Sequence, residues 1–178
     1  MTEQGEMPTE EELFDAYFMR IALEEARKAV KEGEVPAGCV IVDASTAFPS
    51  DPSSARILAV THNRTETLAN ATSHAEMLAI SEASEKLGAW RLCNTRLYVT
   101  KEPCPMCAGA IILARIGSVV WGVSDPKRGG STEFGIFRHP GINHHPEIIT
   151  GVLEKESREV LVDFFRSRRA VKDKEKEI

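Results

Sequence analysis

No stretch of the chain approaches the roughly 18 consecutive apolar residues of a membrane span, and no segment repeats. The first nine residues are acidic and polar rather than basic and then apolar, so no secretory leader is expected. Cysteine is scarce, at four in 178 residues, and histidine nearly so, at five. Without a leader those cysteines are expected in a reducing cytoplasm, where they stay thiols rather than pair as disulfides. Positive charge is also in deficit. A net charge of −5 argues against a protein that coats nucleic acid non-specifically, because such binding depends on neutralising phosphates. It leaves room for a local basic patch, and Arg166, Arg168, Arg169, Lys172 and Lys174 crowd one end of the chain while acids gather in Glu3 to Glu12.

What is present is one domain's worth of chain, residues 1–178, 42% hydrophobic and long enough to bury a sizeable core. Residues 1–9 and 170–178 are expected to be flexible. Thr9 to Glu12 forms a capping box, and Phe14, Tyr17, Phe18 and Ile21 recur at helical spacing, predicting a helix from Glu10 to Lys31 stopped by Gly33. Ala37 to Val42 and Arg56 to Thr61 read as strands joined by a long polar loop, Asp43 to Ala55. Ser73 is placed to cap a second helix with Met77, Ile80, Ser84 and Leu87 on its buried face and Gly88 at its end. A strand at Arg96 to Lys101 leads into a helix with Pro105 in its first turn, then a strand at Ser118 to Val123, a short edge strand near Ile148 to Thr150, and a last helix from Glu154 to Arg169. Strand and helix alternating in this way predict parallel strands with crossover helices in an α/β layered domain.

The chemistry concentrates in Pro103-Cys104-Pro105-Met106-Cys107 together with His74-Ala75-Glu76. Two cysteines three apart at a helix start put two sulfurs on one face of its first turn, within reach of one metal ion. His74 supplies a third ligand. Three protein ligands leave a fourth position for water, the arrangement of catalytic rather than structural zinc. Glu76, two residues from His74, points elsewhere and suits a general acid/base beside the metal rather than a fourth ligand. A closed zinc ribbon would require Cys39, Cys93 or a loop histidine as well. Cys39 lies inside an apolar strand and reads as core, and Cys93 has no partner at metal-binding spacing. His139, His144 and His145 lack regular spacing and read as surface residues rather than a second metal site.

His-x-Glu with Pro-Cys-x-x-Cys is the signature of the zinc deaminases that act on nucleobases. The sequence further resembles the bacterial tRNA adenosine deaminases, a branch of the cytidine/deoxycytidylate deaminase superfamily. The similarity covers Glu34-Val35-Pro36, Asn63-Arg64, Leu97 to Thr100, Glu102-Pro103-Cys104, Cys107 to Ala110, Arg115-Ile116-Gly117, His139 to His144 and Asp163 to Arg166. It implies a three-layer α/β/α cytidine-deaminase-like fold around a mixed sheet of about five strands, with zinc on His74, Cys104 and Cys107 and Glu76 shuttling protons. It further implies that Asn63 bonds the purine edge near the backbone of Ala75, with Val35 and Pro36 as a pocket wall. Asp125 and the loop from His139 to His144, Asn143 included, would meet the RNA backbone, and Phe165, Arg166 and Arg168 would pack on a tRNA anticodon loop. The implied product is inosine at the wobble position, made by a homodimer whose site is completed near the subunit interface.

Aromatic residues running into arginines, as in Phe164 to Arg169, suit unstacked loop bases independently of that resemblance. Phe164 itself, four residues from Val160, reads as core. Two features depart from the family pattern: the loop Asp43 to Ala55 is longer than expected, and His145-Pro146 stands where a basic residue is usual. The alternatives are a deaminase of a free base or nucleoside such as guanine or cytosine, which has no need of the basic last helix, and a zinc-stabilised RNA-binding subunit without catalysis, for which Glu76 would be idle.

Overall fold

The computed structural model describes residues 7–46 and 49–176, apart from the side chains of residues 46 and 171–176. Residues 1–6 and 177–178, and with them part of the termini expected to be flexible, lie outside the described residues, as do the side chains of Lys172 and Lys174. Thr9, by contrast, has a structural task. Its hydroxyl accepts from the Glu12 amide at 3.2 Å while the Glu12 carboxylate accepts from the Thr9 amide at 2.8 Å, closing the capping box that starts α1 (Glu10–Lys31).

The strands β1 (Gly38–Asp43), β2 (Arg56–His62), β3 (Thr95–Lys101), β4 (Ser118–Val123) and β5 (Glu147–Thr150) form one mixed sheet in the order β2-β1-β3-β4-β5. β1 is antiparallel to both β2 and β3, whereas β3, β4 and β5 run parallel. The expectation of parallel strands therefore holds for β3, β4 and β5, of which β3 and β4 are joined through a helix, and not for the hairpin half. A bulge between Ile41 and Val42 precedes the long hairpin connection, which carries short 3-10 turns at Ala44–Thr46 and Pro52–Ser54.

Helices cover both faces. α1 and α4 (Glu154–Lys176) pack on one side around Phe14, Phe18, Met19, Val40, Tyr98 and Val120. α2 (Ala75–Leu87) and α3 (Pro105–Leu113) pack on the other around Ile41, Leu97, Val99, Ile111, Val119 and Trp121. The central strands face both layers, so Gly38 to Val42 of β1 and Val119 to Val123 of β4 are buried without alternation. α1 lies so close to β1 that a Cβ at Gly38 would stand 1.9 Å from the Ala22 carbonyl oxygen, which only glycine avoids.

Two details of α2 correct the reading from sequence. His74, not Ser73, occupies the cap position, and its side chain makes no cap hydrogen bond. The fully buried stripe is Ala75, Ala79 and Ala83, with Met77, Ile80, Ser84 and Leu87 only half-buried, because the small residues let α2 approach the sheet. α4 also continues past Arg169 to Lys176.

Candidate active site

The register brings four strand ends to one edge of the sheet: Gly38 at the start of β1 pairs with His62 at the end of β2, and Lys101 at the end of β3 pairs with Val123 at the end of β4. The residues that follow or precede these ends face one cleft of about 800 Å³. Strands in an α/β fold place ligands at their carboxyl ends, and here α2 and α3 both begin at that edge, with His74 and Cys104 as their cap residues.

Within the cleft the His74 Nδ1 lies 3.6 Å from Cys104 Sγ and 3.5 Å from Cys107 Sγ, and the two sulfurs are 3.6 Å apart. One ion at bond lengths of about 2.3 Å to sulfur and 2.0 Å to nitrogen, with tetrahedral angles, sets the sulfur–sulfur and sulfur–nitrogen separations at ~3.8 and ~3.5 Å. The donor set and its spacing therefore fit zinc. Among the described residues this is the single group of three or more such ligands within 4.8 Å of one another. The two sulfurs share a hydrogen bond that pushes the Cys104 thiol down to about 3 and the Cys107 thiol up, so the cluster readily holds a thiolate.

Glu76, in the first turn of α2, is 5% exposed and neighbours Cys107. Burial, reinforced by the negative charge of Cys104, holds its carboxyl above the ordinary carboxylate range. A carboxyl so placed takes and returns protons more readily than a solvated one. Asn63 is 6% exposed, and its amide nitrogen donates to Glu34 at 3.2 Å and to the Thr65 hydroxyl at 3.0 Å.

Of the residues singled out from sequence, Glu76, His74, Cys104, Asn63, Val35, Asp125, Phe165 and Arg168 line the cleft. Cys107 lies behind Cys104, buried. Ala75 is buried at the start of α2, its carbonyl accepting from the Thr61 hydroxyl at 2.7 Å, and Pro36 is buried beside the cleft wall. Arg166 does not line the cleft. It is exposed and faces Asp163 at 3.5 Å. His139 and Asn143 also lie outside it: the His139 ring accepts from the Gly141 amide at 3.1 Å, and Asn143 takes two hydrogen bonds from Arg115. The His144 and His145 rings meet the carbonyls of Ile116 and Phe137 at 2.7 and 3.1 Å, so one ties the loop to the turn before β4 and the other ties it to itself.

The sequence patterns assigned no role to Glu34, Lys101, Lys127, Arg128 or Glu102. Glu34, fully buried, accepts from the Thr67 amide at 2.7 Å besides Asn63; burial alone would raise its carboxyl, but the amides of Thr67 and Glu66 and the Asn63 side chain outweigh it and hold it below the ordinary range. Lys101 bonds Asp125 at 2.5 Å inside the cleft. Lys127 and Arg128 stand exposed on its rim with Arg168 and Arg169. Their proximity depends on β4 lying beside β3, which local sequence does not reveal.

This fold, with a three-ligand cluster and a buried glutamate at the carboxyl ends of its strands, defines a deaminase; residues 14–169 match the model of the MafB19-like deaminase family. The chain is 45% identical to the tRNA-specific adenosine deaminase of Bacillus subtilis (strain 168), over 89% of this chain and 92% of the other, and 44% identical to that of Agrobacterium fabrum, over 86% and 95%. A solved structure from work on A-to-I editing by tRNA:A34 deaminases at the wobble position of transfer RNA superposes with a TM-score of 0.74 and 42% identity, covering 82% of this chain and 99% of that one. The chain belongs to the tRNA-specific adenosine deaminase family.

Proposed function

We propose that this single-domain protein converts adenosine at the wobble position of a tRNA anticodon loop to inosine and releases ammonia. The observation that carries the reading is that one cleft holds both halves of the requirement: Glu76 beside the His74, Cys104 and Cys107 donors at its floor, and exposed Phe165, Lys127, Arg128, Arg168 and Arg169 at its mouth. A zinc ion held by His74, Cys104 and Cys107 would supply the Lewis acidity that makes water a nucleophile at neutral pH.

Glu76 takes a proton from water as the oxygen adds to C6 of the purine and returns it to the departing nitrogen, so adenosine and water become inosine and ammonia. Asn63, its amide set by Glu34 and Thr65, bonds the purine edge between the backbone of Ala75 and the wall formed by Val35 and Pro36. A flipped base fits such a cleft because a loop nucleotide costs little to unstack. The acids of the cleft lie back from its basic rim. Glu34, Glu76 and Glu102 are buried and Asp125 is paired with Lys101, leaving Glu66 as the exposed unpaired carboxylate of the lining. Phosphates would meet Lys127, Arg128, Arg168 and Arg169, while Arg166, His139 and Asn143 would act farther along the RNA.

Four free cysteines and a site that needs thiolates suit a reducing cytoplasm, and no helix among the described residues is long and apolar enough to cross a membrane. The resemblance supports a homodimer. Incubating the zinc-loaded protein with an anticodon stem-loop bearing a wobble adenosine, and separately with free guanine and cytosine, should give inosine in the first reaction alone; xanthine or uracil without inosine would establish a free-base deaminase instead.

A further inference from the structure

We propose that Glu102 is a positioning residue that fastens the cationic wall of the cleft, residues 125–132, to the metal-binding turn and thereby sets the affinity for RNA; the inference rests on the RNA reading above. Glu102 is 2% exposed, and a buried carboxylate ordinarily finds a cation. This one takes four donors from a single loop instead. Its Oε2 accepts from the Asp125 amide and the Thr132 hydroxyl, both at 2.7 Å, and its Oε1 accepts from the amides of Ser131 at 3.0 Å and Thr132 at 2.7 Å. A carboxylate offers about four lone-pair directions. All are engaged, so Glu102 has none left to exchange protons with substrate, unlike Glu76.

The loop is pressed onto the metal motif from the other side as well. The Gly130 amide donates to the Pro103 carbonyl at 2.8 Å, and a Cβ at Gly129 would come within 2.3 Å of the Glu102 carboxylate. Glu102's own amide donates to Val123 at 2.8 Å, carrying the β3–β4 ladder one step beyond Lys101. Three neighbours in sequence thus divide the work: the Lys101 side chain meets Asp125, Glu102 takes the loop backbone, and Cys104 joins the ligand cluster. The loop so held carries Lys127 and Arg128 to the rim. Losing the anchor moves those cations without touching the donors to the metal.

Glu102→Gln tests this because an amide has one oxygen where the carboxylate has two. With its nitrogen at the Oε2 position it can donate to the Thr132 hydroxyl but faces the Asp125 amide; at the Oε1 position it faces the amides of Ser131 and Thr132, donor against donor in either case. In the zinc-loaded enzyme the variant should raise KM for the stem-loop about tenfold, keep kcat within about threefold, retain one zinc per chain, and lower the salt slope of RNA binding by about one to two, the share of Lys127 and Arg128. Amide exchange at Asp125, Ser131 and Thr132 should quicken. Gly129→Ala, which pushes on the same contact from the loop side, should do the same and decides the matter if Glu102→Gln does not fold. Unchanged KM and unchanged exchange overturn the inference, as does loss of zinc or of kcat at constant KM. Wild-type enzyme that makes no inosine refutes the RNA reading instead, and amide exchange still tests the anchor without any substrate.

Discussion

Glu76 and Glu34 are both buried carboxylates on the wall of one cleft, and their surroundings drive them in opposite directions. Burial, with the Cys104 charge beside it, raises Glu76, whereas at Glu34 the amide donors outweigh burial and lower it. On the proposed mechanism the contrast separates a proton carrier from a scaffold. Glu76→Ala should retain zinc, measured by metal analysis, and lose at least about a hundredfold in turnover, the scale of a general acid/base. Near-normal turnover would remove Glu76 from the proton path. Glu34→Gln should cost about 1–3 kcal/mol, since it weakens the hold on the Thr67 amide and on Asn63. Because the folded pKa of Glu34 lies below its unfolded value, its contribution is complete above that unfolded value, near 4.5, and fades as pH falls through the folded one. Urea unfolding should therefore show a constant gap between wild type and variant down to about pH 5 and convergence as pH falls below about 4.5; a gap unchanged at about pH 3 would contradict the assignment.

Among the elements, those whose signals are local were readable in advance. The Thr9 capping box, the first-turn Pro105 and the left-handed Gly88 each mark a helix end by chemistry within a few residues, and α1 and β4 have the expected bounds. What misled was local chemistry competing with the site. Ser73 is the better cap by propensity, yet His74 holds that position with its ring turned to Cys104 and Cys107. The metal motif was legible because Cys-x-x-Cys and His-x-Glu are each recognisable patterns within a few residues, although the two lie about thirty residues apart. Glu102 was not, because its four donors lie 23 to 30 residues away. On α4, Phe164 is buried as its spacing from Val160 suggests, and Phe165 and Arg168 face the cleft. Arg168→Ala with Arg169→Ala should weaken RNA binding and make its salt slope shallower by about two, while Arg166→Ala alone should do less; equal effects from Arg166 would show that the RNA path runs along the outer face of α4.

At the scale of the molecule, an acidic chain presents a basic mouth. The net charge of −5 is reconciled with an RNA substrate by where charge lies: most carboxylates of the cleft are buried or paired, and the exposed cations stand on its rim. That distribution is invisible to composition because it depends on which strands are neighbours. The sheet order also explains why two His/Cys motifs about thirty residues apart in the chain meet: β3 lies in the middle of the sheet, and the helices on its far face start beside its carboxyl end. The most direct test of the whole account is to incubate the zinc-loaded protein with a full-length tRNA transcript carrying adenosine at the wobble position and to read the RNA by reverse transcription. The account predicts a single adenosine-to-guanosine change, at the wobble position, absent with Glu76→Ala; an unaltered transcript, or changes at adenosines outside the anticodon loop, would contradict it.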